Sequence, residues 1–204
     1  MTAAGFPFIT PSRQLHLKQR WSARLLKILG VRLVTDAPFV DPGSLLVANH
    51  ISWLDVFVMN AITPTTFVCK DDVKDWPAIG WLVEHSGTLF IERGSRTAAA
   101  RSAQAMAARM AGEERVAVFP EGTTTQGTSM LPFRAALFQA AIDALAPVQP
   151  ASLRYRDASG AICTTPAYDG DLSFGQSMLN IVRASGIRAE LRFLDALTPA
   201  DDRR

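Results

Sequence analysis

Ser44-Leu45-Leu46-Val47-Ala48-Asn49-His50-Ile51-Ser52-Trp53-Leu54-Asp55 joins an apolar run to the start of an amphipathic one. Residues 44–48 carry no charge and follow Gly43, which reads as a short strand buried on both faces. Residues 53–61 read as a helix. His50 therefore emerges at the end of the strand, and Asp55 falls in the first turn of the helix that follows.

The same alternation continues on either side of this junction. Strands are predicted at 44–48, 66–69, 88–91, 115–119, 147–155 and 188–194, and helices at 53–61, 76–85, 96–111, 133–145 and 175–185. Ser95 or Thr97 is placed to cap the alanine-rich helix, and Gly112 to end it. Strands separated by helices specify an α/β fold with a largely parallel sheet flanked by helices. In such a fold the site gathers where strands end and helices begin. There is no internal repeat, linker or low-complexity tract.

Ahead of the sheet, residues 13–29 have a helical period. Arg13, His16, Arg20, Arg24 and Lys27 share one face, and Leu17, Trp21, Leu25, Ile28 and Leu29 the adjoining arc, with Gly30 as the stop. This basic amphipathic helix fits a bilayer interface; it equally fits a helix packed on its own domain with a solvated basic side. The first reading divides the chain into a membrane-associating segment at 1–34 and the α/β domain at 35–204. The net charge of +2 hides this asymmetry, because every acidic residue lies at or after Asp36.

With 48% hydrophobic and 20% charged residues, the chain is globular rather than disordered. No stretch reaches the roughly 18 uncharged apolar residues of a spanning helix, and no secretory leader is evident. Cys69 and Cys163 lie far apart near apolar runs and read as buried, reduced thiols. The expected location is the cytoplasmic face of a membrane, held peripherally. His16, His50 and His85 lack metal-ligand spacing, so no metal is expected. The basic residues are not interleaved with aromatics over a surface, which argues against nucleic acid as a partner.

Three loops can carry chemistry. At the first, Asp55 can reach back to the His50 imidazole, fixing its tautomer and stabilising the imidazolium after it accepts a proton. An imidazole pKa of about 6.5 suits that task. Ser52-x-x-Asp55 also fits a capping box, so the carboxylate has a purely structural alternative. The second is Gly87-Thr88-Leu89-Phe90-Ile91-Glu92-Arg93, where a guanidinium at a strand end can grip a phosphate or carboxylate, or simply pair with an acid on the surface. In the third, Phe119-Pro120-Glu121-Gly122-Thr123-Thr124, a buried strand gives way to a carboxylate, a glycine and hydroxyls. Such a loop can receive an anionic group or merely turn the chain. A further stretch, Pro147-Val148-Gln149-Pro150, marks a sheet edge or the entry to a strand.

In this order the segments resemble the glycerolipid and lysophospholipid acyltransferase family. The motif N-H-x-S-x-x-D is matched by Asn49, His50, Ser52 and Asp55, and G-x-x-F-I-x-R by Gly87, Phe90, Ile91 and Arg93. F-P-E-G-T is complete from Phe119 to Thr123, and the proline-bearing fourth motif is best matched around Pro150. The stretch Lys70…Trp76-Pro77…Gly80-Trp81 is also similar to the segment between the first two family motifs.

The resemblance implies that His50 is the general base for an acceptor hydroxyl and Asp55 its partner. Arg93, Glu121, Gly122 and Thr123 would line the acceptor site, with Pro150 near the acyl channel or catalytic face. It implies no cofactor beyond a co-substrate, acyl-CoA or acyl-carrier protein. The acceptor would be a lysolipid, foremost 1-acyl-sn-glycerol-3-phosphate.

One departure bears on the acceptor. Family members that take lysophosphatidic acid carry an arginine after F-P-E-G-T, where this chain has Thr124; Arg93, Arg96 and Arg134 are the available substitutes. The continuation from Gly127 through Leu131-Pro132-Phe133-Arg134-Ala135-Ala136-Leu137-Phe138 resembles the lyso-ornithine lipid acyltransferase branch. Relatives are expected to continue into a further helix beyond Asp201-Asp202-Arg203-Arg204. Two competing functions stay open: a lipid-binding module without turnover, and a hydrolase that sends the acyl group to water. Gly170-Asp171-Leu172-Ser173-Phe174-Gly175 has the wrong spacing for a nucleophile elbow.

Overall fold

The structure, a computed structural model, describes residues 10–36, 40–70, 88–91 and 96–198. Its elements run α1 (Pro11–Ile28), β1 (Arg32–Thr35), β2 (Leu45–Ala48), α2 (Leu54–Ile62), β3 (Thr66–Lys70), β4 (Leu89–Ile91), α3 (Arg96–Ala111), β5 (Val116–Val118), a 3₁₀ turn (Ala135–Phe138), α4 (Gln139–Ala144), β6 (Val148–Arg156), α5 (Phe174–Arg183) and β7 (Arg188–Phe193). The strands form one seven-stranded sheet in the order β1-β7-β6-β2-β5-β3-β4. Pairing is parallel except between β6 and β7. The expected α/β architecture is therefore present, with β1 and β7 running against the other strands. The expected helix at 76–85 and the Ser95 cap fall outside the described residues.

Alternation along β2 separates two cores. Leu46 and Ala48 pack with Leu26 and Leu29 around α1, Leu54, Val58 and Met59 of α2, and Ile181 of α5. Leu45 and Val47 pack with Met106 and Met110 of α3, Val116 and Val118 of β5, and Ala140 and Ala141 of α4. The central strand is thus covered on both faces, as parallel sheets require.

Helix α1 ends as the sequence indicates. Gly30 sits at φ +72°, and the Val31 N–H reaches the Leu26 carbonyl. One side of α1 packs on the domain: Gln19 donates to the Ala61 and Ile62 carbonyls at the end of α2, and Trp21 meets Phe57 edge-on at 5.4 Å. Lys18 donates to the Thr65 carbonyl, and burial holds its ammonium down to about 8. Arg13, His16, Arg20, Arg24 and Lys27 stay exposed together with Leu15, Trp21 and Ile28.

Four expectations need correction. Strand β1 is absent from the sequence reading, because Arg32–Thr35 has no buried alternation; it pairs only along β7. The continuous helix expected at 133–145 is broken. The Arg134 N–H donates to the Pro120 carbonyl and keeps the chain extended, and only a 3₁₀ turn and the short α4 follow. Of the two readings of Pro147–Pro150, the sheet edge falls and the strand entry holds: β6 begins at Val148 and lies between β2 and β7, and Pro150 stands opposite Val47, just before the β7 ladder begins at Ala151.

Finally, α3 is closed by Glu113 at φ +62°, one residue after Gly112, with the Glu114 N–H on the Arg109 carbonyl. A side chain in this left-handed conformation is strained, and glycine is not. Glu113→Gly should raise stability by about 0.5–1 kcal/mol after allowing for the looser unfolded chain, whereas Glu113→Ala should not. Urea denaturation of the three proteins measures the difference.

Candidate active site

At the end of β2 the backbone leaves the sheet while the Asn49 side chain continues the ladder. Its amide donates to the Leu153 carbonyl at 3.0 Å and accepts from the Leu153 N–H at 2.8 Å. Asn49 thus pairs with β6 as a strand residue would, which frees the main chain to turn and present His50.

Asp55 is fully buried, and its carboxylate is surrounded by donors. Oδ2 lies 2.8 Å from His50 Nδ1 and accepts from the Ile51 and Ser52 N–H groups at 2.7 and 2.9 Å; Oδ1 accepts from the Tyr155 hydroxyl at 2.7 Å. A carboxylate so occupied can only accept, so Nδ1 carries the ring proton and Nε2 keeps its lone pair. The capping box is only half formed: Asp55 Oδ2 holds the Ser52 N–H, but Ser52 Oγ accepts from the Leu54 N–H rather than from Asp55 N, and α2 begins at Leu54, after Trp53, with no side-chain cap bond. One carboxylate ties down the Ile51–Ser52 turn ahead of α2 and orients the imidazole.

Tyr155 was not among the residues expected from sequence. Burial, reinforced by the Asp55 charge, pushes its phenol well above the usual range, so it stays a proton donor to Oδ1. The signal that could have found it is weak, a tyrosine on the buried side of a strand 100 residues from Asp55. It acts through Asp55 and is a positioning residue.

The imidazole lies flat on Phe119, with ring centroids 3.9 Å apart and planes 4° apart, and Phe119 rests against Phe67. The His50 side chain keeps 20% of its surface exposed. With Nδ1 engaged and one face covered, Nε2 is the nitrogen available to a ligand.

Glu121 is 3% exposed, and both its oxygens are taken by main-chain donors: Oε1 by His50 N at 2.8 Å and Oε2 by Leu131 N at 2.7 Å. It clasps the His50 turn to a strap formed by residues 120–134. Further ties hold the strap down. The Thr125 N–H donates to the His50 carbonyl, the Thr124 hydroxyl to the Tyr168 carbonyl, and the Tyr168 N–H to the Ile51 carbonyl. Gly127, at φ +76°, packs so closely on Ile51 that a Cβ would come within 2.7 Å of its side chain.

Gly122, at φ +72°, has the Arg134 guanidinium directly over it, where a Cβ would stand 2.6 Å from Nε. Thr123 is exposed beside it. Arg93 lies outside the described residues. Pro150, opposite Val47, is set back along the sheet from His50.

Ser173, in the stretch with the wrong spacing for a nucleophile, is the cap of α5, bonded reciprocally to Gln176. Among the described residues no group of three or more His, Cys, Asp or Glu side chains could hold a metal, and both cysteines are free. No helix among those residues is long and apolar enough to cross a membrane.

A strand end that presents a buried carboxylate–imidazole pair, clasped by a glutamate and a glycine, occurs here within a sequence that matches the acyltransferase family model over residues 30–154. The chain belongs to that family. It is 37% identical over 166 residues to the 1-acyl-sn-glycerol-3-phosphate acyltransferase of Neisseria gonorrhoeae, an alignment covering 81% of this chain and 65% of that protein. It is 41% identical over 150 residues to the lyso-ornithine lipid O-acyltransferase of Pseudomonas aeruginosa, covering 72% of this chain and 57% of that one. The chain thus spans under two thirds of the length of these curated relatives. The crystal structure of the 1-acyl-sn-glycerophosphate acyltransferase PlsC from Thermotoga maritima superimposes with a TM-score of 0.65 over 97% of this chain and 76% of that one. At 19% identity that likeness concerns the fold.

Proposed function

We propose that the protein transfers a fatty acyl group from a thioester, acyl-CoA or acyl-carrier protein, to the free hydroxyl of a lysolipid, foremost 1-acyl-sn-glycerol-3-phosphate. The observation that carries this reading is the His50–Asp55 pair, with Nδ1 held by a buried carboxylate and Nε2 left open at a strand end. Nε2 takes the proton of the acceptor hydroxyl as its oxygen attacks the thioester carbonyl. The carbon–sulfur bond then breaks, the thiolate leaves with the proton from the imidazolium, and the new ester remains on the lipid. Asp55 stabilises the transient imidazolium and Tyr155 holds Asp55. No covalent acyl-enzyme is needed.

Lyso-ornithine lipid is the second acceptor, favoured by the threonine at position 124 and by the similarity to the Pseudomonas protein. Labelled oleoyl-CoA offered with each lysolipid in turn tests both, and acyl-carrier protein can replace coenzyme A as donor. Acceptor-dependent ester formation is expected. Thioester breakdown that ignores the acceptor would instead mark a hydrolase, and binding of the lysolipid without turnover a lipid-binding module.

The protein acts at the surface of a membrane, on its cytoplasmic face. The exposed Arg20, Arg24 and Lys27, beside Trp21 and Ile28, support this, and the free thiols of Cys69 and Cys163 fit a reducing compartment. Changing these three basic residues to glutamate should weaken binding to anionic vesicles by roughly a hundredfold, and high salt should imitate the change. Sedimentation with vesicles measures it; unchanged binding would remove α1 from the interface.

A further inference from the structure

The strap over His50 turns a row of large apolar side chains toward water. Met130 is 67% exposed, Leu131 41% and Phe133 45%, on either side of Pro132. The strap is fixed at its base by the Glu121–Leu131 bond, by Arg134 N on the Pro120 carbonyl and by the contact between Phe133 and Phe138. The exposure is therefore built into a held conformation. A contiguous apolar patch beside a site marks a place where something apolar sits.

We infer that the strap tip, Met130 above all, inserts into the lipid bilayer and sets the depth at which His50 meets its acceptor. Three observations favour a bilayer over another occupant. First, the tip and the base are linked through one carboxylate, since Glu121 holds the Leu131 N–H on one oxygen and the His50 N–H on the other. The backbone of His50 and that of the tip are thus held one glutamate side chain apart, close to whatever surface the tip enters.

Second, positive charge flanks the tip. Arg134, over Gly122, makes no ion pair among the described residues, as befits a side chain that meets anionic lipid.

Third, the C-terminal end of α1 lies at the same end of the sheet. β7 starts opposite the end of β6, which runs parallel to β2, and β1 starts beside it. The turn joining α1 to β1 is thereby at the end where β2 delivers His50, and it carries the exposed Lys27 and Ile28. Basic residues and exposed apolar ones at one end of the molecule describe an interfacial face.

The inference rests on the acyltransferase reading only for the purpose it gives the insertion, and its test is separable from that reading. Met130→Cys and, at the opposite end of the sheet, Ala111→Cys are each labelled with an environment-sensitive fluorophore in a background lacking Cys69 and Cys163. They are then mixed with phosphatidylcholine–phosphatidylglycerol vesicles containing nitroxide-labelled lipid. The label at 130 should shift to the blue and be quenched, and the label at 111 should do neither. A label at 130 that stays in water while the protein sediments with the vesicles overturns the inference. So does a shift that appears without vesicles as protein concentration rises, which would mark a second copy as the occupant.

In the second arm, Met130→Ser should lose about tenfold or more activity on lysolipid presented in vesicles. It should keep activity within about twofold on a short-chain lysolipid dissolved as monomer, where no bilayer partitioning is involved. Equal loss on both substrates reveals a merely structural role and also overturns the inference. Absence of transfer by the wild type would count against the acyltransferase reading alone, and the fluorophore at 130 would still decide the insertion.

Discussion

Asp55→Asn should lower kcat about a thousandfold while leaving the fold nearly intact. The amide oxygen can take the place of Oδ2, accepting from His50 Nδ1, Ile51 N and Ser52 N, and the amide NH₂ then faces the Tyr155 hydroxyl. That hydroxyl can turn and accept, but its own buried hydrogen then lacks the Asp55 acceptor, which costs about 1–3 kcal/mol of stability without preventing folding. The imidazole keeps its tautomer. What disappears is the negative charge that balances the imidazolium, and the loss falls on the transition state. Steady-state kinetics beside a melting curve separate the two effects; kcat within tenfold of wild type would show that Asp55 serves chiefly to hold the turn ahead of α2.

The second large effect is expected at Glu121, as lost stability. Both oxygens accept main-chain N–H groups in a buried site, so in Glu121→Gln the NH₂ must oppose one of them, donor against donor. Leaving a buried donor unpaired beside a former charge costs about 2–3 kcal/mol, roughly 5–10 °C in melting temperature for a chain of this size. Activity measured well below that temperature should fall as well, because the His50 backbone loses its anchor. The family resemblance implies a different part for Glu121, as lining of the acceptor site. That part predicts an unchanged melting temperature and a raised KM. The two outcomes are distinct in one thermal scan and one substrate titration.

What could be read from the sequence was local. An apolar run followed by polar residues and a helical period places Asp55 where it can reach back to His50, and in the structure the two side chains are 2.8 Å apart. The alternation of strands and helices gave the parallel core of the sheet for the same reason. The features that escaped depend on partners distant in the chain. Arg32–Thr35 becomes a strand only because β7 is there to pair with it. The helix expected at 133–145 yields to a hydrogen bond from Arg134 to Pro120, which no periodicity encodes. Tyr155 looks like any core aromatic until β6 brings it under Asp55. Glu121 stood out in sequence, but its two main-chain partners, 71 and 10 residues away, give it a clasping role that composition cannot reveal.

The central claim is that His50 removes the proton of a lysolipid hydroxyl as the acyl group moves. The most direct measurement is transfer from labelled oleoyl-CoA by the wild type and His50→Ala, with and without lysophosphatidic acid or lyso-ornithine lipid. The account predicts ester formation and coenzyme A release that both require the lysolipid, and that both fall to background in the variant although it binds the same vesicles. Transfer that persists in His50→Ala, or coenzyme A release indifferent to the lysolipid, would contradict it.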